Sequence, residues 1–155
     1  SAEVEHKNFE MVKKVENSKD LEIFIKTFNN CYQKDDPQNP YGELGEYLEV
    51  AKDAWHKHQN TDRLEYFIVY KNEIPVAVST VNNYQGVGYI SNVGSLRSVR
   101  GEGFGKLATL YCVVESRKKG GTVQCLTTEE GNYPHEFYQR VGFKHKFTAL
   151  LFVKQ

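Results

Sequence analysis

The chain has 155 residues, a length that suits one domain, and its 20 Lys+Arg and 20 Asp+Glu leave a formal net charge of zero. A balanced chain carries no overall electrostatic footprint for nucleic acid or for an anionic membrane surface. Leu, Ile, Val and Phe make up 40 of the residues, about 26%, above the roughly 20% floor below which disorder is expected, so a packed core needs neither disulfide nor metal.

The first apolar alternation, Phe9, Met11, Val12 and Val15, predicts a weak strand. A helix follows, with Leu21, Phe24, Ile25, Phe28 and Tyr32 on one face and Asn17 or Ser18 as its cap. Two prolines, Pro37 and Pro40, then break the chain. A second helix places Leu44, Tyr47, Leu48, Ala51, Trp55 and His58 on one face, with Tyr47 and Trp55 expected in the core. His56 and His58 are two apart on that helix, so they point about 200° from each other and cannot share a metal.

The texture changes after Thr61. Residues 64–70, 74–81 and 87–95 are rich in β-branched and aromatic side chains and are joined by short polar turns, so they read as an antiparallel meander. A helix from about Gly103 carries Phe104, Leu107, Ala108, Tyr111 and Val114 inward and ends at Lys118-Lys119-Gly120-Gly121, cations and then glycine. Residues 122–127 read as a strand, parallel to the one before the helix because the connection is a crossover. Residues 132–141 predict a shorter helix stopped by Gly142, and residues 143–153 a last strand. The expected fold is α/β, in the order β-α-α-β-β-β-α-β-α-β, with a mixed, mostly antiparallel sheet and helices on both faces. One domain over residues 1–155 is expected. The first residue is Ser1, which suggests processing or a domain cut from a longer protein.

Cys31, Cys112 and Cys125 are far apart and form no C-x-x-C pair, which suits free thiols in a reducing cytoplasm. No apolar run exceeds about five residues, whereas a membrane span needs about 20. The N-terminus is acidic and polar, unlike a signal peptide. The expected setting is therefore cytoplasmic, with no membrane or nucleic-acid partner. A homodimer is left open.

Residues 99–106, Val-Arg-Gly-Glu-Gly-Phe-Gly-Lys, sit between a strand and a helix. Glycines there let a ligand approach the backbone closely. The first N–H groups of a helix lack internal partners, and with the positive end of its dipole they favour an anion, a pyrophosphate especially. Arg100 and Lys106 add positive charge. The turn is not a P-loop, because Gly105-Lys106 is followed by Leu107 and has Arg100 where the first glycine should be. Nor is it a dinucleotide fingerprint, because Lys106 stands where the third glycine belongs.

Arg100-Gly101-Glu102-Gly103-Phe104-Gly105 resembles the R-x-x-G-x-G motif of the GNAT superfamily of acetyl-CoA-dependent N-acetyltransferases. The approach to it, residues 92–99, resembles the end of that family's fourth strand, and Tyr138 to Phe143 its Y-x-x-x-G-F signature. The element order agrees as well. The resemblance implies that the backbone of Arg100, Gly101, Glu102, Gly103, Phe104, Gly105 and Lys106 binds the pyrophosphate of acetyl-CoA. It implies that Val93, Gly94 and Ser95 bind the pantetheine arm and the acetyl carbonyl, and that Tyr138 protonates the leaving thiolate. A phenol near pKa 10 beside a thiol near 8.5 suits a neutral donor. The partners implied are acetyl-CoA and an amine acceptor. No metal is required and no cysteine nucleophile is proposed.

Two departures stand out. Many members of that family carry a Glu in the fourth strand that deprotonates the amine, and here Tyr89-Ile90-Ser91-Asn92 holds no carboxylate. Glu129, Glu130 or His135 could take the proton instead. The family's Asn lies seven residues before the Tyr, where this chain has Gly131, so Asn132 is the nearest candidate for a pantetheine contact. The acidic residues Asp35, Asp36, Glu43 and Glu46 read as a solvated set, or as an attractor for a cationic amine. Two alternatives to catalysis stay open: a domain that senses acyl-CoA or supports a partner without turnover, and a nucleotide-phosphate enzyme resting on the anion site alone.

Overall fold

The computed structural model describes residues 8–154, and the polar N-terminal residues that argue against a signal peptide lie outside them. Five strands form one sheet in chain order: β1 (Val12–Lys14), β2 (Leu64–Lys71), β3 (Ile74–Tyr84), β4 (Val87–Ser95) and β5 (Val123–Cys125). The first four are antiparallel, and β5 lies parallel to β4. Each of the two hairpins turns on a left-handed pair, Asn72-Glu73 at φ 49° and 65° and Gln85-Gly86 at 47° and 78°. Such turns match the twist of the flanking strands. Residues 82–84, expected in the second loop, instead continue β3, pairing with Tyr89, Gly88 and Val87.

Helices α1 (Ser18–Cys31), α2 (Tyr47–His58), α3 (Phe104–Lys118) and α4 (Tyr133–Val141) complete the described fold. Asn17 starts α1 by accepting the Asp20 N–H on its side-chain oxygen at 2.9 Å. On one face of the sheet, Leu21, Phe24, Ile25 and Phe28 of α1 and Ala51 and Trp55 of α2 pack on Tyr66, Ile68 and Val78. On the other, Phe104, Ala108 and Cys112 of α3 pack on Phe67, Val69, Val81 and Ile90. The even and odd residues of β2 thus serve opposite cores, which is why the strand reads as a continuous apolar run. The buried Tyr66 hydroxyl donates to the Ala51 carbonyl at 2.7 Å and ties α2 to the sheet.

The mixed sheet with helices on both faces is the expected architecture. Two elements differ from expectation. Helix α2 begins only at Tyr47, because Gly45 sits at φ 52°, outside helical backbone. Tyr47 is therefore 44% exposed and not a core residue, while Trp55 is buried. Residues 143–153 form no strand: they pair with nothing among the described residues, and Phe147, Leu150, Leu151, Phe152 and Val153 are 75% to 88% exposed. A strand-like apolar pattern records that side chains want cover; it does not say which edge gives it. No helix of the described residues is long and apolar enough to cross a membrane.

Gly94 in β4 sets how closely α1 approaches the sheet. A Cβ there would lie 2.7 Å from the Cys31 Cβ and 3.0 Å from Cε2 of Tyr32. Gly94→Ala is expected to cost about 1–3 kcal/mol by overpacking. Urea unfolding measures this, and an unchanged midpoint would show that the end of α1 yields freely.

Candidate active site

Two irregularities in β4 open a cleft. β4 and β5 pair only through Val87, Gly88 and Tyr89 with Val123, Gln124 and Cys125. β5 then stops while β4 runs on to Ser95. The backbone of residues 90–95 thus has no strand partner on that side among the described residues. Second, β4 bulges: Thr80 opposes Ser91 and Val78 opposes Gly94, so Asn92 and Val93 together face Ser79. Asn92 takes φ 51°, a conformation Asn tolerates better than most residues. Its side chain locks the bulge, donating to Thr80 Oγ1 at 3.2 Å and accepting from the Tyr47 hydroxyl at 2.9 Å.

A cavity of about 530 Å³ lies where the strands part, bounded by the loop after α1, the N-terminus of α3 and α4. Gly101 and Gly103 have φ of 83° and 91°, and a Cβ on either would meet open space. Gly103 is the cap of α3. The N–H groups of Phe104, Gly105 and Lys106 are the first of the helix and lack intrahelical partners. With the helix dipole and Lys106 at the rim they form an anion site on the cavity wall. The side chain of Glu102 turns away, to Lys71 Nζ at 2.6 Å, and Glu102 does not line the cavity.

Arg100 has a different engagement. Its Nη1 donates to Asp36 Oδ1 at 2.5 Å, its Nη2 pairs with Asp36 Oδ2, and Nη2 also reaches the Cys31 carbonyl at 3.5 Å. The Asp36 side chain is only 1% exposed. The hydrogen bond from Arg100 holds its carboxyl below the usual carboxylate range against the opposing effect of burial. Asp36 is thus not part of a solvated acidic set. It ties the loop after α1 to the glycine turn.

Tyr138 lies on the inner side of α4 and lines the cavity. Burial, then the neighbouring Tyr32 and Tyr41, push its pKa up, so the hydroxyl keeps its proton. No described residue accepts a hydrogen bond from it. Opposite, the Tyr32 hydroxyl donates to the Val93 carbonyl at 2.7 Å. Tyr41, Tyr47, Tyr89 and Tyr133 complete a lining with six tyrosines and, among the described residues, no carboxylate and no imidazole. Burial pushes the thiol of Cys31, also in the wall, up to about 12, so it stays protonated and a poor nucleophile.

The structure therefore brings Val93, Gly94, Ser95, Arg100, Gly101, Gly103, Phe104, Gly105, Lys106 and Tyr138 around one cavity. It leaves out Glu102 and Asn132; the Asn132 amide donates to Glu129 Oε2 at 2.5 Å. Glu130 accepts from Thr148 Oγ1 at 3.0 Å, and His135 Nδ1 accepts the Gly131 N–H at 3.2 Å. Glu129, Glu130 and His135 all lie outside the lining. Sequence reasoning missed Asn92, Tyr32 and the Asp36–Arg100 pair, and misplaced Tyr47. Only Asn92 left a trace, an Asn within an otherwise strand-forming run.

The acetyltransferase (GNAT) family model matches residues 22–143, and the chain belongs to that family. Solved structures share its fold. An aminoglycoside N-acetyltransferase, AAC(6')-Iy, held with a CoA-linked bisubstrate analogue, superposes with TM-score 0.72 at 14% identity over 93% of this chain and 97% of that one. Glucosamine-6-phosphate N-acetyltransferase from Arabidopsis thaliana gives 0.65 at 14% identity over 93% and 97%. An acetyltransferase of Agrobacterium tumefaciens gives 0.67 at 20% identity over 92% and 99%. No curated protein matches the chain.

Asp36→Asn leaves Arg100 largely buried without its counter-charge and is expected to cost about 3 kcal/mol. A carboxyl held below its unfolded pKa stabilises the fold above that value and loses this stabilisation as pH falls through the folded one. The wild type should therefore weaken as pH drops below about 4. The variant should lack that part of the acid limb. Denaturation midpoints from pH 7 down to pH 2 test both statements; parallel curves would contradict them.

Proposed function

We propose that the chain transfers the acetyl group of acetyl-CoA to an amine of a small molecule or protein, by direct attack in a ternary complex. One observation carries this reading: the gap between β4 and β5 runs from a helix N-terminus with unpartnered N–H groups to the protonated hydroxyl of Tyr138. The pyrophosphate rests on the backbone of residues 101–106, and the pantetheine arm follows Val93, Gly94 and Ser95. These residues fit such a group, since a Cβ on Gly101 or Gly103 would meet open space and the charged side chains lining the cavity are positive.

The amine lone pair attacks the thioester carbonyl carbon. The C–N bond forms, the C–S bond breaks, and backbone N–H groups of β4 steady the charge that develops on the oxygen. The departing sulfur takes the Tyr138 proton. A buried phenolate is costly, so the proton lost by the new ammonium returns to Tyr138 through water. With no carboxylate or imidazole among the described residues of the lining, the acceptor reaches its neutral form in water before attack. That same feature favours a second reading, a domain that binds acyl-CoA with little or no turnover. The CoA and CoA-analogue complexes of AAC(6')-Iy support the co-substrate. The aminoglycoside and glucosamine-6-phosphate acetyltransferases of the same fold support an amine acceptor. A single cytoplasmic domain and a homodimer belong to this reading, the first supported by three free cysteines and one continuous sheet, the second by the exposed C-terminal segment.

Calorimetric titration with acetyl-CoA is expected to show binding that Gly103→Glu abolishes while circular dichroism stays unchanged. A folded wild type that ignores millimolar ligand would reduce the glycine turn to a turn. Tyr138→Phe should lower kcat by about 100-fold, within the range of general acid catalysis, and leave the acetyl-CoA Kd within about twofold. Equal losses in both would contradict the acid role. If the wild type binds acetyl-CoA yet releases no thiol with any amine of a broad panel, the binding-domain reading replaces the enzymatic one.

A further inference from the structure

Two of the tyrosines in the cavity wall face it with an acceptor and no donor. A phenol has one hydrogen to give and an oxygen that also accepts. The Tyr32 hydrogen goes to the Val93 carbonyl at 2.7 Å, and the Tyr47 hydrogen to Asn92 Oδ1 at 2.9 Å. No described residue donates to either oxygen, and both residues line the cavity. Tyr41 and Tyr89 differ, because each has a hydroxyl partner of its own, Thr128 Oγ1 at 3.4 Å and Thr127 Oγ1 at 2.7 Å.

The two free oxygens are neighbours. Their partners are consecutive residues of the β4 bulge, and both rings meet Phe28 edge-on, at 5.3 Å and 6.2 Å between centroids. Tyr138 is close by: after burial itself, Tyr32 is the strongest influence on its hydroxyl. The wall beyond them is apolar or aromatic, with Phe28, Tyr41, Leu44 and Tyr89. Tyr41 is set in place by Asn39, whose amide donates to the Gly42 carbonyl at 2.8 Å and whose oxygen accepts the Tyr41 N–H at 3.1 Å. The charged side chains of the lining, Arg100, Lys106 and Arg140, are all positive.

We propose that Tyr32 and Tyr47 bind the acceptor nitrogen by receiving its two N–H bonds, and that the acceptor is a neutral primary amine on an apolar, aromatic body. A neutral primary amine has two hydrogens and one lone pair. Two oxygens that take both hydrogens leave the lone pair free to face the thioester carbonyl. A carboxylate in their place would favour the ammonium, which has no lone pair; two neutral phenols exert no such pull. The cations of the lining add to the selection, since a polyamine would meet like charge. This inference rests on the proposed acetyl transfer. The bonds made and broken are the same, and Tyr32 and Tyr47 hold the N–H groups without taking a proton.

The test uses the full chain, acetyl-CoA, benzylamine and phenylalanine amide, with the N-methyl derivative of each amine. Both primary amines should release thiol. Their kcat/KM should rise with pH up to the pKa of the amine in use, so the break moves from one substrate to the other. A break at one pH for both would reveal a base on the protein and overturn the inference. Each N-methyl derivative, one N–H short, should be poorer by about tenfold. Tyr32→Phe and Tyr47→Phe keep the rings and remove one oxygen each. Each should raise the KM of the primary amines about 5–10-fold and bring the primary to N-methyl ratio near one, with the acetyl-CoA Kd within about twofold. Calorimetry of benzylamine and its N-methyl derivative into protein saturated with CoA, at about pH 9, should give the same pattern without turnover. Equal losses for primary and N-methyl amines would make the pair supports of the bulge alone, overturning the inference and leaving acetyl transfer in place. Spermidine acetylated faster than both aromatic amines would overturn the substrate class in the same way. If Tyr32→Phe does not fold, Tyr47→Phe decides by the same ratio, since Tyr47 is 44% exposed. A chain that binds acetyl-CoA and releases no thiol with any amine overturns the transfer and this inference together.

Discussion

Where β4 and β5 part, the sheet stops supplying partners for its own backbone, and the cleft exists because of that parting. A parallel pair normally continues until one strand ends, and here β5 ends after three residues. The bulge at Asn92 bends β4 away at the same level, so the two effects add. The geometry is held by polar bonds rather than by packing: Asn92 is tied to Thr80 beneath and to Tyr47 above. The Val93 carbonyl is held by Tyr32 from the end of α1. Gly94, next along the strand, admits α1 close enough for that bond to form. Backbone groups that a longer β5 would otherwise occupy remain available for a ligand.

The second organising feature is how charge is distributed around this opening. Three cations line it, Arg100, Lys106 and Arg140, and among the described residues no carboxylate does. Arg100 is neutralised by Asp36 beneath the surface, so its role is mechanical as much as electrostatic. The pair crosses 64 residues of sequence to fasten the loop that walls one side of the cleft to the turn that forms its floor. What remains of the positive field comes from Lys106, Arg140 and the end of α3, and Lys106 and the helix end favour an anion at the turn. Farther along, the walls are tyrosine, neutral and able to donate or accept. An anionic handle is favoured at one end and a neutral reacting group at the other, the polarity that a phosphate-bearing thioester and an unprotonated amine require.

The parts of this arrangement legible in the sequence were those written in local chemistry. The glycine turn announces itself because few other residues accept φ near 90° at a helix start. The strands and helices follow from period, and Tyr138 from a spacing before Gly142 and Phe143 that holds on the helix. The features that escaped are those in which a residue's meaning depends on a distant partner. Asp36 in a run of acids looks solvated until Arg100 is folded onto it. Tyr47 has the period of a core residue, yet Gly45 delays the helix and turns the ring toward β4. Residues 143–153 have the composition of a strand, but composition cannot name an edge.

The unpaired segment also bears on Tyr138. Helix α4 buries none of its nine residues fully, unlike the other three helices. It is held by Tyr138, edge-on to Phe143 just beyond the helix at 6.1 Å, and by Gly105, which lets Phe137 approach the start of α3. Its C-terminal end passes through Gly142 at φ 119° directly into the unpaired segment. A short helix with so little buried surface leaves the place of Tyr138 to these few contacts.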